Sequence, residues 1–407
     1  MEKLKIGFIG LGARGLSLLK DVVLTMSDVE IVSVSDCFED RAKAGAEAVR
    51  EARGVTPARE TDYKKVVDCS EVQAVIIAAS WEMHVEMAVY AMLKGKAVGM
   101  EVGGAFSIED CWDLVNTYEK TKTPFMFLEN CCFGRREMMV LNMAKQGVFG
   151  DIVHCSGGYH HDLREEIANG VENRHYRLRN YINRNAENYP THELGPIAKI
   201  LNVNHGNRLV SLTSTASKAA GLHEYICTHK SEDEKLKNTI FQQGDIVTTV
   251  IKCAHGETIT LTLDTTLPRY YSRGFTIRGT KGLYEEVTDS VFLDTQEDRE
   301  FDFSWRANKC GNAEEYAKQY EHPTWKWYAE KGIQGTHDGM DWLEFRVFFD
   351  CLINQKPMPI DVYDAATWMA VTALSEQSIA LGSAPVMFPD FTKGKWLEEY
   401  NGAKENQ

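Results

Sequence analysis

Residues Ile6–Gly15 read IGFIGLGARG: an apolar strand runs straight into Gly10-x-Gly12-x-x-Gly15 and then into a helical pattern. Each glycine has a mechanical use in a turn that holds a dinucleotide. Gly10 permits the tight turn, Gly12 lets the backbone approach a pyrophosphate, and Gly15 lets the new helix lie close on the strand. Ala13 and Arg14 open that helix, whose N-terminus offers backbone N–H groups to phosphate. With 31 glycines in 407 residues, chance supplies roughly 0.2 such spacings per chain, so the spacing alone is weak and its context must carry it.

The context is a second strand, Val29 to Val34, followed by Asp36, which lies 21 residues beyond Gly15. An acid there accepts hydrogen bonds from ribose hydroxyls and repels a 2′-phosphate, which favours NAD over NADP. The plainer reading is an Asp capping the helix that begins near Glu39, and Arg41 is the residue that argues against NAD. Further on, the run Ala74–Ala79 is continuously apolar, as in a strand buried on both faces of a parallel sheet, and ends in Ser80 and Trp81. Strands at Ala97–Met100 and Phe125–Leu128 end in Glu101-Val102-Gly103-Gly104 and Glu129-Asn130. Strands alternating with helices predict a doubly wound parallel sheet. Ala13 and Arg14, Asp36, Trp81 and His84, Glu101 and Val102, and Asn130 all fall at strand carboxyl ends, where such sheets bind ligands. One polar residue there is ordinary helix capping; five positions in register are harder to dismiss.

From about Asp151 the pattern changes to strand-like runs at Ile152–Tyr159, Leu209–Thr215, Ile246–Cys253, Thr258–Thr265 and Gly274–Arg278, two of them joined by a hairpin signal at Ala254–Glu257. The expectation is an α+β domain with a largely antiparallel open sheet. One face would pack on helices, and the other would meet the cofactor or a partner subunit. Helices are predicted over Asp338–Cys351 and Asp364–Leu381. The expected domains are residues 1–130 and 131–407, with the C-terminal helices able to pack back on the first domain.

Net charge is −14, from 59 acidic against 45 basic residues, which opposes a nucleic-acid or anionic-membrane partner. Ten cysteines lack a CxxC pair, and no apolar run approaches membrane length. The first strand begins within four residues, so no signal peptide is expected and a cytoplasmic setting follows.

Between the first two strands of the second domain lies a basic and aromatic cluster: Arg174, His175, Tyr176, Arg177, Arg179, Tyr181 and Arg184. It reads either as a solvated loop with partly structural arginines or as a lid that hydrogen-bonds a polyhydroxylated ligand. Single-stranded nucleic acid is disfavoured by the surrounding charge. The segment closes with Tyr189-Pro190-Thr191-His192-Glu193 and leads into a predicted helix at Ile197–Leu201. His192 is a candidate general acid or base.

On these residues the chain resembles the glucose-fructose oxidoreductase and inositol dehydrogenase superfamily (Gfo/Idh/MocA). More narrowly it is similar to the NAD-dependent glycosidases of glycoside hydrolase family 109, known for α-N-acetylgalactosaminidase activity. The likeness rests on GLGARG at Gly10–Gly15, Asp36, WEMH at Trp81–His84, Glu101 and Val102, and LEN at Leu128–Asn130. It continues through GYHHDLR at Gly158–Arg164, the run Tyr176–Pro196, PRYYSR at Pro268–Arg273, and DVYDAA at Asp361–Ala366.

The resemblance implies that Tyr159, Arg177, Tyr189, Pro190, Thr191, His192 and Tyr271 contact a sugar. It also implies that Gly10, Gly12, Ala13, Arg14, Gly15, Asp36, Trp81, His84, Glu101, Val102 and Asn130 hold NAD. Superfamily dehydrogenases commonly carry a Lys after the Glu of the fifth strand as proton acceptor. Here Val102 stands instead, so a plain dehydrogenase lacks its usual base. Two departures from the family are Gly103, where proline is usual, and the missing secretion signal of many relatives.

The implied chemistry is hydrolysis through transient oxidation at C3, C2 deprotonation, elimination at C1, water addition and re-reduction. His192 would manage the C3 hydroxyl proton, Tyr159 or Tyr271 the C2 proton, and Arg177 the sugar's orientation, with Glu129 in support. A two-carboxylate glycosidase using Asp162, Glu187 or Glu193 competes with it. So do a net sugar dehydrogenase and a non-catalytic NAD-binding sugar sensor. No metal is expected, although His160, His161 and Asp162 with His154 or His175 are conceivable ligands. An open sheet face favours a homo-oligomer.

Overall fold

Six short strands build a parallel sheet at the N-terminal end of the chain. They are β1 (Leu4–Ile9), β2 (Val29–Ser35), β3 (Ala58–Glu60), β4 (Ala74–Ile77), β5 (Ala97–Glu101) and β6 (Phe125–Leu128). Every residue of β4, β5 and β6 is buried, which is what strands covered by helices on both faces require. The strand order β3-β2-β1-β4-β5-β6 reverses between β1 and β4, and an open α/β sheet binds ligands at that switch. β3 is three residues long and was not legible as a strand in the sequence.

The structure is a computed structural model describing residues 3–295 and 310–398; residues 399–407 of the second expected domain lie outside the described residues. The chain divides into two units, Met1–Gly134 with Trp327–Ala366, and Arg135–Lys326 with Thr367–Gln407. The first unit thus takes up a segment from far along the chain. Its helix Met340–Ile353 sets Phe348 against Gly99 of β5, where a methyl group would come within 3.1 Å of the ring. Arg346 pairs with Asp28 at 2.9 Å, and the Phe127 N–H donates to the Ile360 carbonyl.

The second unit is built on β7 (Ile152–His160), β8 (Leu209–Ala216), β9 (Ile246–Cys253), β10 (Thr258–Asp264), β11 (Thr276–Gly279), β12 (Gly282–Glu285), β13 (Ser290–Leu293) and β14 (Val386–Met387). Their order is β13-β12-β11-β7-β10-β9-β8-β14, and every neighbouring pair is antiparallel except β7 with β10. The predicted class, a doubly wound Rossmann sheet followed by a largely antiparallel α+β sheet, is the one observed. The hairpin expected at Ala254–Glu257 joins β9 to β10, with Gly256 at φ +104°. Val247, Ile251, Ile259, Leu261 and Leu263 fill the buried face. Among the described residues no helix is long and apolar enough to cross a membrane, and none of the ten cysteines forms a disulfide.

Candidate active site

The three glycines of the first loop do three different things. Gly10 sits at φ +92°, and a methyl group there would lie 2.4 Å from the Ala78 carbonyl carbon. A methyl on Gly15 would fall 2.0 Å from the Gly10 oxygen, because helix and turn are in contact. Gly12 is different: a methyl there meets only the Arg41 guanidinium, at 3.5 Å. That leaves the N-cap of the helix beginning at Ala13 open on the side where a phosphate must approach, so the cradle fits a dinucleotide. Asp36 follows β2 and accepts from the Leu11 N–H at 2.7 Å and the Phe38 N–H at 2.9 Å. Arg41 stacks over Phe38 with its guanidinium 4.9 Å from the ring.

At the other strand ends the expected residues converge on a group that the sequence did not reveal. Arg14 donates from Nε to Glu101 at 2.9 Å and from both terminal nitrogens to Asp341, at 2.7 and 3.0 Å. The Asn130 amide donates to Asp341 at 2.8 Å, and the second Glu101 oxygen accepts the Val102 N–H. Asp341 is fully buried in the first turn of helix Met340–Ile353. Burial alone would raise its carboxyl, but hydrogen bonds from His337 and Arg14, together with their charges, hold it far below the ordinary carboxylate range. No motif marks Asp341; Asn130 and Arg14, which it joins, lie 211 and 327 residues away.

Trp81 opens the helix Trp81–Leu93 with its indole flat against Gly103, where any side chain would meet the ring at 2.6 Å. The departure from proline at position 103 thus belongs with Trp81. His84 is buried, donates to the Ala79 carbonyl at 3.0 Å, and is pushed down to about 4 by burial, which keeps it neutral. Val102 is buried and carries no proton-accepting group.

In the second unit the residues expected at the sugar gather around Tyr159, near the end of β7. Its ring lies 4.3 Å from Tyr189 and 5.5 Å from His192, centroid to centroid. Tyr189 and His192 meet edge to face at 4.7 Å, their polar atoms 3.4 Å apart. Arg177 lies over Tyr189 at 5.2 Å and pairs with Glu166 at 2.6 Å. Tyr271 reaches the same group through His161, ring to ring at 5.1 Å, and is half-exposed. His161 itself bonds the Tyr159 hydroxyl at 2.9 Å. Neither His161 nor Glu166 was selected from the sequence as a sugar contact. The i, i+2 spacing of Tyr159 and His161, across the end of a strand, was the available signal.

One local expectation needs correction. The helix expected at Ile197 begins at Thr191, with Pro190 at its N-cap, so His192 and Glu193 lie in its first turn despite Gly195 and Pro196. Burial of Thr191, Glu193, Leu194 and Ile197 overrides the breaker residues. In the basic cluster, the structural alternative holds for two residues. Tyr181 is buried and bonds Thr265, and Arg184 pairs with Glu376 at 2.5 Å, leaving Arg177 to join the aromatic group.

Of the carboxylates of the two-acid alternative, Asp162 and Glu193 face arginines and Glu187 is buried. Asp162 holds Arg164 through both oxygens. Glu193 faces Arg273 at 3.4 Å inside a buried network in which Glu137 also pairs with Arg273, at 2.5 Å. Glu187 is buried and pushed up to about 8 by that burial. The conceivable metal trio is dispersed as well, with His161 on Tyr159, Asp162 on Arg164, and His160 against Gly274.

Residues 4–128 match the oxidoreductase family with an NAD-binding Rossmann fold, and residues 133–398 match the C-terminal domain of glycosyl hydrolase 109. The chain belongs to glycosyl hydrolase family 109. A family 109 protein of Stenotrophomonas maltophilia is 40% identical, the alignment covering 98% of this chain and 91% of the relative. The alpha-N-acetylgalactosaminidase of Tannerella forsythia is 38% identical over 97% of this chain and 87% of its own.

Among solved structures, levoglucosan dehydrogenase in complex with NADH and levoglucosan has a TM-score of 0.70 at 17% identity, covering 95% of this chain and 100% of its own. The scyllo-inositol dehydrogenase of Lactobacillus casei, solved with NAD(H) and scyllo-inositol, has a TM-score of 0.65 at 15% identity, covering 95% and 99%. Those two likenesses concern the fold. As a member of family 109, the chain is a glycosidase with an NAD-binding Rossmann domain.

Proposed function

We propose that this family 109 chain hydrolyses an α-N-acetylgalactosaminide or related hexoside by transient oxidation of the sugar at C3, elimination across C1 and C2, and re-reduction. The observation that carries the reading is the Tyr159–Tyr189–His192–Arg177 group, in the unit matching the hydrolase domain, together with Val102 where a dehydrogenase would place its base. The relative named alpha-N-acetylgalactosaminidase supports the substrate class.

Gly10, Gly12, Ala13, Arg14, Gly15 and Asp36 would hold the cofactor's pyrophosphate and ribose, and Trp81, His84, Glu101, Val102 and Asn130 its remaining length. When bound, NAD supplies an acceptor and donor for the hydride at C3. His192 exchanges the C3 hydroxyl proton. A ketone at C3 acidifies C2–H, and a tyrosine, Tyr159 or Tyr271, takes that proton. Arg177, held by Glu166, orients the sugar and stabilises oxyanion character. Tyr189, Pro190 and Thr191 shape the sugar's other side.

The test is hydrolysis of an aryl α-N-acetylgalactosaminide in D2O, with and without added NAD+. Deuterium at C2 of the released sugar with no net NADH is expected; product without deuterium at C2 would overturn the mechanism. His192→Ala is expected to lower kcat by ~10²-fold or more, the usual size for a lost general acid–base group.

The homo-oligomer expected from the sequence has a physical basis in the second unit. Rows Ser211–Lys252–Thr258, Thr213–Val250–Thr260 and Thr215–Thr248–Thr262 cross β8, β9 and β10 on the less buried face, with one charge among them. A second copy is the proposed cover.

A further inference from the structure

We infer that His161 is the positioning residue that makes Tyr159, rather than Tyr271, the base at C2, by accepting the phenolic proton as Tyr159 takes the proton from carbon. The inference rests on the elimination reading above and assigns one of its steps.

The geometry separates the two tyrosines. The Tyr159 hydroxyl lies 2.9 Å from His161 Nδ1, and its ring is packed at 4.3 Å on Tyr189 and 5.5 Å from His192, so it is fixed within the proposed sugar-binding group. Tyr271 touches His161 only ring to ring and is half-exposed. A phenol bound to a carboxylate or a backbone carbonyl would hold its proton in place. One bound to a neutral imidazole nitrogen has somewhere to send it.

The groups facing His161 keep it in the accepting form. Burial, the Arg177 charge and His192 push its pKa down from the ordinary histidine value, outweighing Glu166 and Asp162, which pull it up. Arg177 also interacts electrostatically with Tyr159, which favours developing phenolate charge. Tyr271 is the remaining ring contact.

The step balances as follows. The C2–H bond of the 3-ketone breaks, its proton goes to Tyr159 Oη, and the former Oη proton goes to His161 Nδ1. The bond's electron pair forms the C2–C3 enolate. Collapse of the enolate to the C1–C2 double bond breaks the C1–O bond, and the aglycone oxygen leaves with that pair and takes a proton from water. While water adds at C1 and gives its proton to solvent, the protons on Tyr159 Oη and His161 Nδ1 exchange with solvent; C2 then takes a proton from Tyr159 Oη, which recovers one from His161.

Two variants test this. His161→Asn keeps an acceptor near the Nδ1 position but cannot take up a proton; His161→Phe removes both. Using the aryl α-N-acetylgalactosaminide and its C2-deuterated form, both variants are expected to lose C2–H exchange and kcat by ~10²-fold or more, with a larger primary isotope effect at C2. KM and NADH binding are expected to move by less than ~3-fold. Wild-type exchange rates in His161→Asn, or an unchanged isotope effect, would overturn the inference.

If wild-type product carries no deuterium at C2, the elimination reading itself fails, a separate outcome. An independent readout needs no variant to fold. In wild-type protein with 15N-labelled histidine, His161 is expected as the Nε2–H tautomer at neutral pH, and an Nδ1–H tautomer would overturn the inference.

Discussion

Glu187 stands two residues before Tyr189 and is 1% exposed. Its carboxyl is raised by burial to about 8 from an ordinary value of 4.5, against backbone N–H groups of Tyr189 and Leu263 that pull it down. Below about pH 4.5 folded and unfolded chains both keep the proton. As pH rises from there the unfolded chain releases it and the folded chain does not, so stability falls through the window and the loss is complete above about pH 8. The size is on the order of 5 kcal/mol. Glu187→Gln is expected to flatten this loss: its melting temperature should fall less between pH 5 and 8.5 than that of wild type, and equal falls would sink the account. The sequence offered Glu187 as a possible catalytic acid; its burial, set by residues far along the chain such as Ser375, which accepts the Glu187 N–H, was not readable there.

In the glycine loop, neighbouring positions give opposite expectations. Gly15→Ala places a methyl 2.0 Å from the Gly10 oxygen, so the helix must move away from the turn, at a cost of about 1–3 kcal/mol or more. Gly12→Ala meets only the Arg41 guanidinium, at 3.5 Å, and has φ −63°, so its melting temperature is expected to match wild type while NADH affinity falls, read by fluorescence titration. Loss of stability in Gly12→Ala with normal NADH binding would contradict the cradle. The helix Met340–Ile353 provides a third case. Asp341→Asn leaves Arg14 and Asn130 without their shared buried carboxylate, and is expected to destabilise by about 3 kcal/mol and weaken NADH binding, measured by melting and titration. These cases divide the site by legibility. Glycine spacing and strand ends locate Gly10, Asp36 and Glu101 because local backbone geometry demands those residue types. Asp341 answers to side chains brought from elsewhere, and no local pattern records it.

For the whole chain, the central distinction is between a hydrolase and a net oxidoreductase. On the proposed mechanism the hydride returns in each cycle, so aryl glycoside release is expected with no NADH accumulating at 340 nm. A dehydrogenase would accumulate NADH in step with substrate, and a sugar sensor would release nothing. The proposed self-association predicts that wild type elutes as an oligomer by light scattering. Val250→Glu with Thr260→Glu, which places two adjacent charges on the face of β9 and β10, is expected to give monomers with the sugar-contacting residues intact. An unchanged mass would move the interface elsewhere.

The sequence by itself determined the two sheet types and the dinucleotide loop, because hydrophobic period, glycine spacing and strand-end position are local consequences of backbone geometry; the residues around Tyr159 were pointed to by the family resemblance. Tertiary structure alone decided that Asp341 ties Arg14 to Asn130, that Arg184 and Tyr181 are anchors instead of a lid, that the Thr191 helix runs through Gly195-Pro196, and that Tyr159 has His161 behind it. Those outcomes depend on which buried groups meet across hundreds of residues. Burial then sets their charge and overrides local propensity.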